Sequence, residues 1–163
     1  MSDSIGAHGV RVGVPRGWEA ELGVLDDDDV DDPSGRRLSL AAVSTPRVIL
    51  HVANFALPPD RGDYGSGAVE TMDSGGVLII VLEFDEASAA TALFRAEGIP
   101  RDLDPDDFSP NALQRPQRNQ SGTQRFFHVG DRAFCLYVVL GSHTMRNLLV
   151  PEANRLLATL EIG

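Results

Sequence analysis

The chain has 163 residues, of which 42% are hydrophobic and 23% are charged, a composition typical of one globular domain spanning residues 1–163. All 14 basic residues are arginine, whereas 24 residues are acidic, so the formal net charge is −10. Because it lacks lysine, the chain cannot be a Schiff-base enzyme, a Walker-A nucleotide hydrolase, a protein kinase or a Ser-x-x-Lys acyl enzyme.

The charge is unevenly distributed along the chain. Residues 1–108 contain 8 arginines and 21 acidic residues, whereas residues 109–163 contain 6 arginines and 3 acidic residues. A net negative charge disfavours binding to phosphate backbones, so no nucleic-acid partner is expected. No apolar stretch is long enough to cross a bilayer, and no secretory signal is recognised. The single Cys135 fits a reducing compartment, so we predict a soluble, cytoplasmic protein that does not insert into membranes.

Two strands are predicted near the N-terminus. Valine alternates with glycine or arginine over residues 9–14, and apolar and acidic residues alternate over residues 18–24. A period of two indicates half-buried strands. Pro15, Arg16 and Gly17 predict a turn, so the two strands are expected to pair as an antiparallel hairpin.

Three segments are predicted to be loops. Residues 25–36 contain six aspartates, whose mutual repulsion predicts an exposed acidic loop. Residues 56–66 and 100–121 are rich in proline and aspartate, together with glycine or asparagine, and predict long surface loops.

The remaining strands are strongly apolar. Residues 47–55 and 76–84 are apolar on both faces, which predicts a sheet covered on both sides. Residues 123–129 and 132–140 flank a Gly-Asp turn and predict a hairpin whose second strand lies inside the sheet.

Helices are predicted at three places. Residues 86–97 are expected to form a helix with Asp85 as its N-cap and Gly98 as its C-cap. A short helix is expected over residues 66–72. A final amphipathic helix is expected to begin near Pro151, because proline is favoured in a first turn.

This order of elements predicts an α+β fold, with an antiparallel sheet of about six to seven strands and helices packed on its faces. Residues 9–18 and 134–162 resemble the ends of the PsbP-like fold group, which includes an extrinsic photosystem II protein and an import factor that binds the Ran GTPase. That resemblance implies an α/β/α sandwich that binds other proteins. Residues 50–55 and 61–67 are similar to proteins of high-GC, actinobacterial-type bacteria, which implies no activity.

No metal site, cofactor or catalytic residue is predicted. If Asp27, Asp29 and Asp31 took the first EF-hand positions, Leu38 would stand where the bidentate glutamate is required. The four histidines lack the spacing of a transition-metal site. Cys135 lies among apolar strand residues and is expected to be a structural thiol.

The best candidate site combines a histidine with a glycine-rich loop. His51 has apolar strand neighbours, so its ring is expected either to be hydrogen-bonded or to face a cavity. The three glycines of residues 62–67 predict a tight turn that could bring Arg61, Tyr64 and Glu70 beside His51. His143 is an alternative member of the same group.

Two functions follow from these features. The first is a non-enzymatic protein-interaction module with an unidentified protein partner, docking through residues 62–67 and 100–121 with Arg115, Arg118 and Arg125 supplying charge. The second is a pocket for a small molecule, or a hydrolytic pocket, near His51 and residues 62–67. Self-association into a weak homodimer is left open.

Overall fold

A computed structural model describes residues 3–25 and 47–163 of the protein. It contains eight strands, namely β1 (Asp3–Ala7), β2 (Val10–Val14), β3 (Glu19–Leu25), β4 (Arg47–Ala53), β5 (Val77–Glu83), β6 (Ser121–Val129), β7 (Arg132–Leu140) and β8 (Glu161–Ile162). One α-helix, α1 (Arg146–Leu157), follows β7. The predicted acidic loop at residues 25–36 lies outside the described residues, apart from Leu25 at the end of β3.

The strands form two antiparallel sheets, which confirms the α+β class. The larger sheet has the order β3-β4-β5-β7-β6, and the smaller one has the order β1-β2-β8. The prediction of a single sheet with six to seven strands is therefore wrong, because the strands are divided between a five-stranded and a three-stranded sheet. β7 lies between β5 and β6, so the predicted hairpin and its interior second strand are confirmed.

The first predicted hairpin, between β2 and β3, does not form, because each strand pairs with another strand. β2 pairs with β1 through a turn at His8 and Gly9, whose φ angles of 52° and 79° suit a two-residue hairpin turn. β3 pairs instead with β4 in the larger sheet. The turn after Pro15 is real, since the Trp18 amide donates to the Pro15 carbonyl over 3.0 Å, but it carries the chain from one sheet to the other.

The larger sheet is covered differently on its two faces. Helix α1 and strand β2 pack on the first face, where the main core includes Leu50, Ile79, Val138 and Leu156. The second face is covered by loop residues, with Val69 and Leu113 packed on Ile80 and Tyr137. The second helical layer of an α/β/α sandwich therefore has no counterpart in the part of the chain that the structure describes.

The predicted helices are corrected in three ways. The segment predicted as one helix is two 3-10 helices, Glu86–Ala90 and Ala92–Phe94, although Asp85 does cap the first by accepting from the Ser88 amide over 3.0 Å. Residues 66–72 form turns. Helix α1 begins at Arg146, so Pro151 lies inside it.

The edge of the larger sheet explains why residues 86–97 do not continue as one helix. The His128 amide of β6 donates to the Ala96 carbonyl over 2.8 Å, and the Gly98 amide donates to the His128 carbonyl over 2.9 Å. The buried Phe94 also packs on Phe84 and Phe126. Because these contacts draw residues 94–98 to β6, tertiary pairing overrides the local helical preference.

Loop 100–121 runs as far as β6, which begins at Ser121. It contains two 3-10 turns, Pro105–Asp107 and Pro110–Ala112. Across residues 3–25 and 47–163, no helix is both long and apolar enough to cross a membrane.

Candidate functional site

His51 lies on β4 and points toward the second face of the larger sheet. Only 5% of the residue is exposed. Its Nε2 atom lies 3.2 Å from the backbone carbonyl oxygen of Asp63. A carbonyl can only accept, so the ring donates from Nε2, and the Nδ1 atom of the neutral imidazole is left as an acceptor.

Burial and a neighbouring positive charge keep this imidazole neutral. Burial lowers the pKa of His51, and the charge of Arg61 lowers it further, whereas the hydrogen bond to Asp63 and the Asp63 charge oppose the shift. The ring is therefore uncharged at neutral pH and presents a lone pair at Nδ1.

This lowered pKa makes folding depend on pH. The unfolded chain binds a proton at His51 near pH 6.5, whereas the folded chain binds it only at lower pH, so stability is lost as the pH falls below about 7. We expect His51→Gln to flatten this loss, by up to about 1.4 kcal/mol per pH unit for one proton. Urea unfolding at several pH values between 5 and 8 measures both slopes, and equal slopes in the two proteins would contradict the prediction.

Arg61 approaches His51 from the loop after β4. Its side chain is only 6% exposed. Nη1 donates to the Pro58 carbonyl over 2.8 Å, and Nη2 lies 2.8 Å from Glu21 Oε2. Nε is buried and has no hydrogen-bond partner among the described residues. A buried guanidinium thus keeps one donor unused.

The loop that carries Arg61 is held by its own backbone. The Gly62 amide donates to the Ser66 carbonyl over 2.8 Å, and the Gly65 amide donates to the Gly62 carbonyl over 2.9 Å. Gly65 has a φ of +82°, and a Cβ atom there would lie 2.6 Å from Leu78 Cδ2. The predicted tight turn is therefore confirmed, and it requires glycine because the backbone lies directly on the sheet.

These groups surround a small open recess, which we call the His51–Arg61 recess. Its volume is about 180 Å³. Register places Glu21 of β3 opposite His51 of β4, so the two side chains lie side by side on the same face. The recess is lined by His51 and Arg61, together with Glu21, Gly23, Ile49, Pro59 and Asp63.

Only two of the five candidate site residues line this recess. Tyr64 lies on the same face but packs edge-on against Tyr137, with ring centroids 5.8 Å apart. Glu70 is exposed and pairs with Arg115 over 3.2 Å. His143 lies in the turn after β7, where its amide donates to the Asn119 carbonyl. The structure therefore brings His51 and Arg61 together and places the other three elsewhere.

The sequence interpretation missed Glu21 and Asp63. Glu21 appeared as an ordinary solvent-facing residue of an alternating strand, and its role depends on the pairing of β3 with β4. Asp63 contributes through its backbone carbonyl as well as its charge, and a backbone contact leaves no signal in residue type. If the pairing of β3 with β4 had been predicted, it would have placed Glu21 beside His51.

The segment just after the first predicted docking loop, at residues 69 and 70, contacts the second docking loop. Gln120 Nε2 donates to the Val69 carbonyl over 2.7 Å, next to the Arg115–Glu70 ion pair. Two of the three arginines expected to attract a partner are, however, already paired, since Arg125 lies 2.7 Å from Asp107. Their charge is therefore largely neutralised within the protein.

Cys135 is buried, and burial raises the pKa of its thiol to about 11. Because the thiolate is the reactive form, we expect native protein to react with a thiol reagent at least about a hundredfold more slowly than protein unfolded in urea. Absorbance of the released reagent chromophore measures both rates. Labelling of the native protein within seconds would show that the thiol is accessible.

Comparison of the chain with protein-family models, with curated proteins and with solved structures finds no match. The resemblance to the PsbP-like group therefore stays a prediction, and the fold itself is described at the level of an α+β class.

Proposed function

We propose that the protein binds a small polar molecule in the His51–Arg61 recess. The observation that carries this proposal is the state of Arg61, whose side chain is 6% exposed while its buried Nε has no partner among the described residues. An unpaired buried donor costs about 1–3 kcal/mol. A ligand that displaces the exposed Glu21 side chain from Arg61 brings an acceptor to this guanidinium and offsets the cost, and the neutral His51 beside it adds a polar contact.

Binding fits the recess better than covalent hydrolysis does. The described residues that line it include no serine, threonine or cysteine, so they offer no hydroxyl or thiol on which an acyl-enzyme could form. The recess also fits a small ligand better than a protein partner, because several polar side chains line a volume of only about 180 Å³. Docking of a protein on residues 62–67 and 100–121 stays a prediction, and the pairing of Arg115 and Arg125 weakens its electrostatic basis.

A thermal-shift screen of small polar metabolites tests the proposal. A ligand present at a hundred times its Kd adds about 2.7 kcal/mol to stability, which is a clear rise in Tm. We expect hits that stabilise the wild-type protein and lose their effect in Arg61→Met and in His51→Gln. Arg115→Met, which removes an exposed arginine, is the matched control and should keep every hit.

Native mass spectrometry of the purified protein is the second measurement, since a retained ligand appears there as added mass. Hits that persist in Arg61→Met would place binding elsewhere. A broad screen without any hit, together with ligand-free mass spectra, would overturn the proposed function.

A further inference from the structure

The charged groups around the His51–Arg61 recess have opposite signs. Arg61 supplies a buried positive charge, whereas Glu21 and Asp63 supply negative charges, and Glu21 is 64% exposed at the mouth of the recess. The ring of His51 also lines the recess. An anion alone would meet two carboxylates, and a cation alone would meet the guanidinium.

Building on the proposed function, we infer that the ligand is a small zwitterion of the α-amino-acid type, with its carboxylate on Arg61 and its ammonium group on Glu21. Such a ligand satisfies both signs of charge at once and adds no net charge to the recess. This assignment concerns the chemical class of the ligand and not a particular compound.

The carboxylate end follows from the hydrogen bonds of Arg61. Glu21 contacts Nη2 through one oxygen, and Nε has no partner among the described residues. A carboxylate can accept from two guanidinium nitrogens at once, which gives a stronger and more directional contact than a single oxygen does. A ligand carboxylate therefore competes well with Glu21 for this guanidinium.

The ammonium group of the ligand is assigned to Glu21, because the ligand carboxylate displaces Glu21 from Arg61. Glu21, when displaced from Arg61, is a carboxylate on an exposed side chain that can turn toward the ligand. An ammonium group has three donors, and Glu21 offers it a carboxylate beside His51, since the two residues lie opposite each other on paired strands and both line the recess.

Size and polarity limit the rest of the ligand. The recess is small, with a volume of about 180 Å³. Its apolar lining comes from Ile49 and Pro59, and Gly23 adds no side chain. A small side chain fits these surroundings, which makes alanine a suitable test ligand.

Three probes of nearly equal size test this inference. Alanine carries both charges, lactate replaces the ammonium group with a hydroxyl, and alaninamide lacks the carboxylate. We expect alanine to bind at least about tenfold more tightly than either of the others, equivalent to about 1.4 kcal/mol. Chemical-shift changes of backbone amides in ¹⁵N-labelled protein, followed during titration, give the three Kd values.

Two variants and a control separate the roles of the charges. Arg61→Met should abolish the binding of alanine. Glu21→Gln should weaken the binding of alanine and remove the preference for alanine over lactate. Glu97→Gln changes an exposed acidic residue outside the recess and should leave all three affinities unchanged. Amide spectra of the free variants show directly whether each is folded.

The outcomes distinguish this inference from the proposed function. If lactate or alaninamide binds as tightly as alanine, the ligand is not recognised as a zwitterion although the recess still binds small molecules. If none of the three probes binds while a metabolite that lacks either the carboxylate or the ammonium group does so in an Arg61-dependent manner, the zwitterion is again excluded. If no metabolite binds at all, the proposed function fails together with this inference.

Discussion

Replacing Glu83 with alanine is expected to lower the free energy of unfolding by about 3 kcal/mol, which is a large part of the stability of an ordinary domain. Glu83 is buried at the end of β5, and its carboxylate binds Arg132 of β7 through two hydrogen bonds, of 2.7 and 3.0 Å. Glu83 Oε1 also accepts from the Val48 amide of β4 over 3.0 Å. One carboxylate thus links three neighbouring strands.

The expected loss is large because two partners are left unpaired. Without Glu83, the Arg132 side chain, only 21% exposed, loses its counter-charge, and the Val48 amide loses its acceptor. Unfolding in urea, followed by circular dichroism, measures the change. A loss below about 1 kcal/mol would show that the pair is effectively solvated.

Two comparisons make this result specific to the ion pair. The double variant Glu83→Leu with Arg132→Met should lose less stability than the sum of the two single changes, because a buried charge is left alone only in the single variants. Glu86→Ala removes an exposed acidic residue nearby and should change stability by less than about 0.5 kcal/mol.

Replacing Gly141 with alanine is expected to destabilise the protein by about 3 kcal/mol, at the upper end of the usual cost of overpacking. Gly141 is buried just after β7, and its amide donates to the Gly76 carbonyl over 2.9 Å. A Cβ atom at this position would collide with the backbone carbonyl oxygen of Asp73, with the Gly76 amide nitrogen 3.1 Å away. Backbone atoms cannot rotate aside as a side chain can, so the turn before β5 must move.

The same turn supplies a matched control. At Gly75 the nearest atom to an added Cβ would be Asp73 Oδ1, at an ordinary contact distance of 3.7 Å. Gly75→Ala should therefore change the free energy of unfolding by less than about 0.5 kcal/mol. Equal urea midpoints for the two alanine variants would contradict the explanation based on backbone contact.

The strands show which parts of the fold a local sequence pattern can predict. β4, β5 and β7 were predicted within a few residues because each is almost entirely apolar, and burial on both faces leaves that signal wherever the strand lies in the sheet. β1 was missed because most of its residues are exposed and it shows no apolar alternation. The pairing of β3 was wrong because the turn after Pro15 fits a hairpin as well as it fits a passage between sheets.

In the candidate site, too, the sequence predicts the positions of some residues correctly and those of others wrongly. His51 and Arg61 could be selected from the sequence, because a histidine in an apolar strand and an arginine in a glycine-rich turn are locally unusual. Tyr64 and Glu70 follow Arg61 within nine residues, yet Glu70 pairs with Arg115 and Tyr64 packs on Tyr137. Sequence distance does not determine side-chain direction in an irregular loop.

The sequence by itself determined the α+β class, the apolar strands and the exclusion of lysine-dependent chemistry, because these depend on residue type and local periodicity. Only the tertiary structure decided that β1, β2 and β8 form a separate sheet and that residues 94–98 join the edge of β6. It also placed Glu21 opposite His51 and buried Arg61 between Pro58 and Glu21. Such contacts join residues far apart in sequence, and their geometry is fixed by packing, for which local sequence has no signal.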